Sequence, residues 1–318
     1  MKRLTIRGVS GLGLAGLLGV FAGTALWAAG LPDAVTVLKS GTITTLYGTA
    51  FSSLSTGLAV GNGGTVLVTT SGGTTWKPHK SGSEEALYKA AFSAPNTAWV
   101  VGANGTILKT TDGGVTWKPQ KSGTVASLFD VTFLDPQHGW IVGADGTILS
   151  TDDGGASWQD QPSGTRSGLH AVQFLTRKAG WAVGSLGAIL ATKDGGRSWI
   201  LQESKSPSTL FDLFFTDAMN GWVVGNGGVL LQTFDGGAKW DDRSLAKPVD
   251  LTGVIFTDIR TGWVVGDRGT VLRTTDGGLT WTPYGRAPQT TLYSTVFPGA
   301  KTGYAVGDNG TIVKIAVP

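Results

Sequence analysis

The chain repeats itself every 41 residues. Trp76, Trp117, Trp158, Trp199, Trp240 and Trp281 fall at that step, as do Gly61, Gly102, Gly143, Gly184, Gly225, Gly266 and Gly307. A second aromatic row, Trp99, Trp140, Trp181, Trp222 and Trp263, keeps the same step, with Leu58 and Tyr304 at its ends. No insertion breaks the register through seven copies. A period of this length marks a repeat architecture, in which each unit buries its apolar faces against its neighbours.

Each unit reads as four short strands. Leu87-Tyr88-Lys89-Ala90-Ala91-Phe92 has apolar residues at both parities, as a strand covered on both faces requires. Trp99-Val100-Val101 is aromatic and β-branched, Gly102-Ala103-Asn104-Gly105 is a hairpin turn, and Thr106–Thr110 is a third strand. A fourth strand starts at Trp117 and ends near Lys121-Ser122-Gly123. Four strands in about forty residues, in tandem, predict an all-β, seven-bladed β-propeller of four-stranded blades. The seventh unit stops before its fourth strand. Val35-Thr36-Val37-Leu38-Lys39-Ser40-Gly41 shares the Lys-Ser-Gly ending of Trp117–Gly123. Residues 34–41 are therefore expected to supply the missing outer strand and close the ring, which removes an open sheet edge.

Between the third and fourth strands runs an acidic turn: Asp112-Gly113-Gly114-Val115-Thr116-Trp117, with equivalents beginning at Asp153, Asp194, Asp235 and Asp276. It resembles the Asp-box of sialidase-like propellers. The carboxylate is expected to accept hydrogen bonds from its own turn, a structural and not a catalytic task. The first unit departs, with Ser71 in place of Asp, and the fifth has Lys239 where a hydroxyl is usual.

Two composition facts bear on function. The formal net charge is +3, with a pI near 9.0. Lys2, Arg3 and Arg7 account for that excess, and from residue 31 onwards acidic and basic side chains are equal at 22 each. The basic balance thus belongs to the N-terminus and gives no support to nucleic-acid binding. Residues 8–30 are uncharged behind that basic start, the pattern of an export signal with small-residue sites after Ala25 or Gly30, or of a retained membrane anchor. Residues 1–30 are read as that signal or anchor and residues 31–318 as the propeller. The expected location is outside the cytoplasm, in the periplasm or on the outer face of a membrane. The absence of Cys removes disulfides, thiolate metal sites and a thiol nucleophile.

Seven such units behind an export signal resemble the photosystem II stability/assembly factor family, through segments such as Gly139-Trp140-Ile141-Val142-Gly143-Ala144-Asp145-Gly146-Thr147-Ile148-Leu149. The resemblance covers nearly all of residues 34–318. It implies a non-enzymatic propeller that holds a membrane-protein or exported subunit during assembly, in the thylakoid lumen where the host is photosynthetic. The rival is a sialidase-like propeller that binds or hydrolyses carbohydrate. Glycosidases generally need two carboxylates facing each other across a sugar, and sialidase-type ones an arginine cluster and a Tyr nucleophile with a supporting Glu. The only glutamates are Glu84, Glu85 and Glu203. His79, His138 and His170 share no metal-ligand spacing, so neither metal nor cofactor is expected. The chain is expected to act as a monomer.

Function is then expected where the units differ. The residue after each first-strand Leu is Tyr47, Tyr88, Phe129, His170, Phe211, Thr252 or Tyr293, and these are placed around the channel mouth. Turn tips such as Asp145, Leu186 and Asp267-Arg268 share that face with blade connections carrying Arg166, Lys205, Lys247 and Arg286. The candidate partner-binding set is Tyr88, Lys89, Arg166, His170, Lys205, Arg268 and Arg286.

Overall fold

The computed structural model describes residues 34–317, so the N-terminal segment 1–30 lies outside the described residues. It forms seven four-stranded antiparallel sheets. Six are simple meanders, for example Leu169–Phe174, Gly180–Gly184, Ile189–Thr192 and Ile200–Gln202 in blade four. The seventh takes Leu292–Gly299, Thr302–Gly307 and Ile312–Ala316 from the C-terminal end, and its outer strand, Val35–Leu38, from the start of the propeller. Val35 pairs with Ile315 and Leu38 with Ile312. The expected closure is thus observed, with pairing confined to the centre of residues 34–41.

The outer strands are shorter than their sequences suggest: blade two pairs only over Lys118–Gln120 and blade six over Thr282–Pro283. Trp117 stands just before its strand and donates from Nε1 to the Gly114 carbonyl at 3.0 Å, so the ring covers the turn. Prolines at 119 and 283 are tolerated because these strands are edges.

The sheets are apolar on both faces, and their core is a set of clusters lying between neighbouring blades. Trp222 of blade five stacks on Phe256 of blade six at 3.7 Å between ring centroids, and Trp281 meets Phe256 edge-on at 5.8 Å. The same triad recurs as Trp140, Phe174 and Trp199, and as Trp181, Phe215 and Trp240. Each stacked pair adds roughly 0.5–1.5 kcal/mol to the apolar burial itself. The Phe row, from Phe51 to Phe297, also keeps the 41-residue step. It explains a glycine: a Cβ on Gly262 would lie 2.6 Å from the Phe256 ring.

Hydrogen bonds tie the same interfaces. Trp140 Nε1 donates to the Gly195 carbonyl at 3.2 Å, Trp181 to Gly236 at 3.0 Å and Trp222 to Gly277 at 3.1 Å, each in the next blade. Where the ring closes, Tyr304 takes the Trp position, donates its hydroxyl to the Gly72 carbonyl at 2.6 Å and stacks on Phe51. Blade seven therefore joins blade one by the same kind of contact that Trp140, Trp181 and Trp222 make at their interfaces.

The acidic turns are closed by their own groups. In blade two, Thr116 N donates to Asp112 Oδ1 at 2.9 Å, Val115 N to the same atom at 3.1 Å, and Thr110 Oγ1 at 2.7 Å. Hydrogen bonding led by the Thr116 hydroxyl, which donates to Oδ2, holds the Asp112 carboxyl down to about 2. Asp153, Asp194 and Asp276 sit likewise at about 2, led by the hydroxyls of Ser157, Ser198 and Thr280. The two exceptions find substitutes. Ser71 Oγ accepts from Thr75 N at 2.9 Å, and Lys239 N still donates to Asp235 Oδ1 at 2.9 Å.

Candidate functional site

Every innermost strand begins with the same irregularity. In blade two Leu87 pairs with Gly102 and Lys89 with Val101, so Tyr88 is an extra residue in a β-bulge. The shift recurs after Leu46, Leu128, Leu169, Leu210, Leu251 and Leu292. A bulge re-aims the side chain it carries. Here it turns Tyr47, Tyr88, Phe129, His170, Phe211, Thr252 and Tyr293 into one cavity at the channel mouth, of about 390 Å³. The register depends on close approach of the backbones. Gly143 is extended and donates no special turn, but a Cβ there would lie 2.3 Å from the Ser127 carbonyl oxygen.

Six of the seven bulged residues are rings, and they form a continuous arc. Centroid separations are 5.4 Å for Tyr293–Tyr47, 5.6 Å for Tyr47–Tyr88, 5.7 Å for Tyr88–Phe129, 5.1 Å for Phe129–His170 and 6.0 Å for His170–Phe211. The arc is interrupted at blade six by Thr252, whose hydroxyl donates to the Leu292 carbonyl of the next blade. His170 Nε2 lies 3.0 Å from Ser185 Oγ, and burial lowers its pKa, so the imidazole is neutral at neutral pH. Burial raises the Tyr293 hydroxyl to about 12, helped by Asp308, whose Oδ1 accepts from it at 3.2 Å.

One residue deeper, the inner strands carry Gly48, Lys89, Asp130, Ala171, Asp212, Gly253 and Ser294. Lys89 Nζ is 3.6 Å from Asp130 Oδ1. Burial pulls the Lys89 ammonium down, but Asp130 and then Asp212 outweigh it and hold its pKa above the ordinary value. Asp130 accepts from Val131 N at 2.8 Å and, in the next blade, from Val172 N at 2.8 Å. Asp212 repeats this with Leu213 N at 3.0 Å and Val254 N at 2.9 Å. These carboxylates therefore fasten blade three to four and blade five to six. Burial raises both, Asp212 to about 6.

The structure brings three of the seven candidate residues, Tyr88, Lys89 and His170, into the mouth. Arg166, Lys205, Arg268 and Arg286 are exposed on the surrounding turns and connections, outside the cavity lining. The charged groups that join Lys89 in the lining are Asp212, Asp250 and Asp267. Asp250 Oδ1 accepts from Asn226 Nδ2 at 2.9 Å and Gly227 N at 2.8 Å. Sequence reasoning missed Asp130, Asp212 and Asp250 as channel residues. For Asp130 and Asp212 a signal existed, because a charge in a strand covered on both faces, at a position where other units have Gly, Ala or Ser, needs an explanation. Among the described residues, no cluster of three or more His, Asp or Glu side chains is placed to hold a metal ion.

Comparison with known proteins accords with this architecture. A family model described as photosynthesis system II assembly factor YCF48 matches residues 120–201 and 198–283. The solved structure of YCF48 bound to D1 peptide is similar with a TM-score of 0.77 at 22% identity, over 90% of this chain and 96% of that one. YCF48 from Cyanidioschyzon merolae gives 0.73 at 23%, over 89% and 98%. The fold is shared more widely: virginiamycin B lyase from Staphylococcus aureus gives 0.78 at 14%, over 89% and 99%. No curated protein sequence matches significantly. With the family model spanning just over half of its residues, and the seven-bladed ring complete around them, this chain belongs to the photosystem II assembly factor YCF48 family.

Proposed function

We propose that this protein is a non-enzymatic assembly or stability factor that holds a subunit of a membrane or envelope protein complex outside the cytoplasm. The observation that carries this reading is the mouth: an arc of six rings around a cavity of about 390 Å³, set on a ring whose blades are fastened to one another. Aromatic side chains on a rigid frame bury large apolar area with little loss of side-chain freedom, and a polar surround fixes orientation. A polypeptide segment can lie across that face, anchored at the mouth and flanked by Arg166, Lys205, Arg268 and Arg286. Support comes from the family, in which one solved relative is YCF48 bound to D1 peptide. Export by the N-terminal segment places the propeller on the same side of the membrane as such a partner, and the protein acts as a monomer.

The test is crosslinking in intact cells followed by affinity purification from the membrane fraction. One discrete membrane or envelope partner is expected, with crosslinks on the mouth face, and its recovery should fall in a Tyr88→Ala, Phe211→Ala variant that keeps the wild-type melting temperature. Turnover of sialosides by the purified protein, abolished by Arg166→Ala or Arg286→Ala, would instead establish the carbohydrate-active alternative.

A further inference from the structure

The mouth is not electrically neutral, and two of its carboxylates stand where the arc of rings is open. The ring arc runs from blade seven through blades one to five and is open at Thr252 in blade six. Asp250, from the connection entering blade six, and Asp267, from that blade's turn, line the cavity beside the opening, and Asp212 lines it from blade five. The one cationic side chain among the lining residues is Lys89, and it is drawn to Asp130 at 3.6 Å. Asp250 accepts from an amide side chain and a backbone N–H, and Asp212 accepts from two backbone N–H groups while standing in the field of Lys89. His170 is kept neutral by burial and adds no compensating charge at neutral pH.

We propose that the mouth is a receptor for a cationic side chain, a lysine or arginine borne on an extended segment of the partner polypeptide, which enters over Thr252 and lies between the ring arc and the carboxylates of Asp212, Asp250 and Asp267. The proposal rests on the reading of this face as the partner-binding face and names the chemistry it selects. Two forces act in the same direction. Ring faces carry negative quadrupole potential and attract a cation within about 6 Å, more strongly once it is desolvated. The three carboxylates give the cavity a charge that repels an acidic side chain, and a neutral apolar one would meet the rings but leave the acidic side without a partner. The aliphatic stem of lysine or arginine packs on rings while its head reaches the carboxylates. An acidic guest fails on charge, and an apolar guest fails on the opening.

The experiment uses three capped pentapeptides, acetyl-Gly-Gly-Xaa-Gly-Gly-amide, with lysine, norleucine or glutamate at the centre. Binding to the full propeller is followed by chemical-shift titration. The lysine peptide is expected to bind at least about tenfold more tightly than norleucine, with glutamate weakest, and to weaken as salt is raised. Asp267→Asn should weaken the lysine peptide by about threefold or more and leave norleucine unchanged. Phe211→Leu, which keeps an apolar side chain but removes a ring, should also act selectively on lysine. Norleucine or glutamate binding as tightly as lysine, indifference of lysine to both substitutions, or no binding of any peptide at millimolar concentration would each overturn the proposal. Capture of a membrane partner without a lysine preference refutes this inference and leaves the assembly-factor reading standing; a lysine preference without a captured partner does the reverse.

Discussion

The blade interfaces can be tested at Phe256. Its ring is 5% exposed, stacks on Trp222 across the blade boundary and meets Trp281 edge-on. Phe256→Ala removes the ring and leaves a cavity between two rigid sheets, at a cost of about 3–5 kcal/mol including the lost ring pair. Unfolding entropy for a chain of this size is roughly 0.6 kcal/mol per degree, so a 4 kcal/mol loss lowers Tm by about 7 °C. The decisive arm is Gly262→Ala. Gly262 does not occupy the left-handed backbone region, so alanine is allowed there by its dihedrals, but the added Cβ falls 2.6 Å from the Phe256 ring. Overpacking should cost about 1–3 kcal/mol in the wild-type background. With Phe256→Ala already present there is no ring to strike, so the two changes together should cost less than their sum by about that amount. Blade two is the exception to the glycine, with Ala98 beside an intact Phe92, and there the smaller Leu58 takes the Trp position across the boundary. The assay is urea and thermal unfolding followed by far-UV circular dichroism and Trp fluorescence for the four proteins of the cycle. Additive costs within about 0.5 kcal/mol would refute the claim that the Phe row dictates glycine at this position.

Deleting residues 34–41 should lower Tm and promote self-association, because Ile312–Ala316 then becomes an open edge; an unchanged Tm with a monomeric elution would contradict the closure. Leu186 holds φ near +59° while 79% exposed, at a turn position where Asn104 and Asp145 stand in other blades. Leu186→Asn should therefore stabilise the fold by about 1 kcal/mol in urea titration, and a loss would show that the side chain has packing that offsets its strain. The pH dependence has two opposed parts. Asp112, Asp153, Asp194 and Asp276 are depressed to about 2 in the fold, so their contribution is present above the unfolded value of 3.8 and is lost as pH falls through about 2. Asp212 is raised to about 6, so its burial costs nothing below 3.8 and destabilises progressively as pH rises through about 6. Melting temperature against pH should accordingly fall less steeply on the acid side in Asp194→Asn; a slope equal to wild type would remove the turn carboxylates as its cause.

Much of this architecture is legible because a repeat states the same local rule many times. One turn such as Gly102-Ala103-Asn104-Gly105 is a weak signal, but seven in register fix the blade. The structure gives it left-handed Asn104 and Gly105, with Thr106 N donating to Ala103 O at 3.0 Å. The ring of bulged residues was legible for the same reason: seven positions after a repeated Leu must be equivalent in space. The channel carboxylates were not. Asp130 and Asp212 lie in different units at the repeat position that Lys89 holds in blade two, and nothing local says which of these charges meet across the channel. Arg166, Lys205, Arg268 and Arg286 stand exposed on the turns and connections, outside the cavity lining.

The sequence by itself determined the unit, the number of units, the residues that recur in them and the segment that completes the last blade. Period and parity act through nearest neighbours, and each blade touches little beyond the two beside it. The tertiary structure decided what happens where all seven meet. Only closure of the ring sets six rings in an arc with its gap at Thr252, places Asp250 and Asp267 at that gap, and brings Lys89 between Asp130 and the field of Asp212. Those relations cross the axis between residues up to two hundred and more positions apart. They follow from the angle between blades, which is set by how the Phe row packs against the Trp row, or its Leu58 and Tyr304 substitutes, at the interfaces and is written in no single repeat.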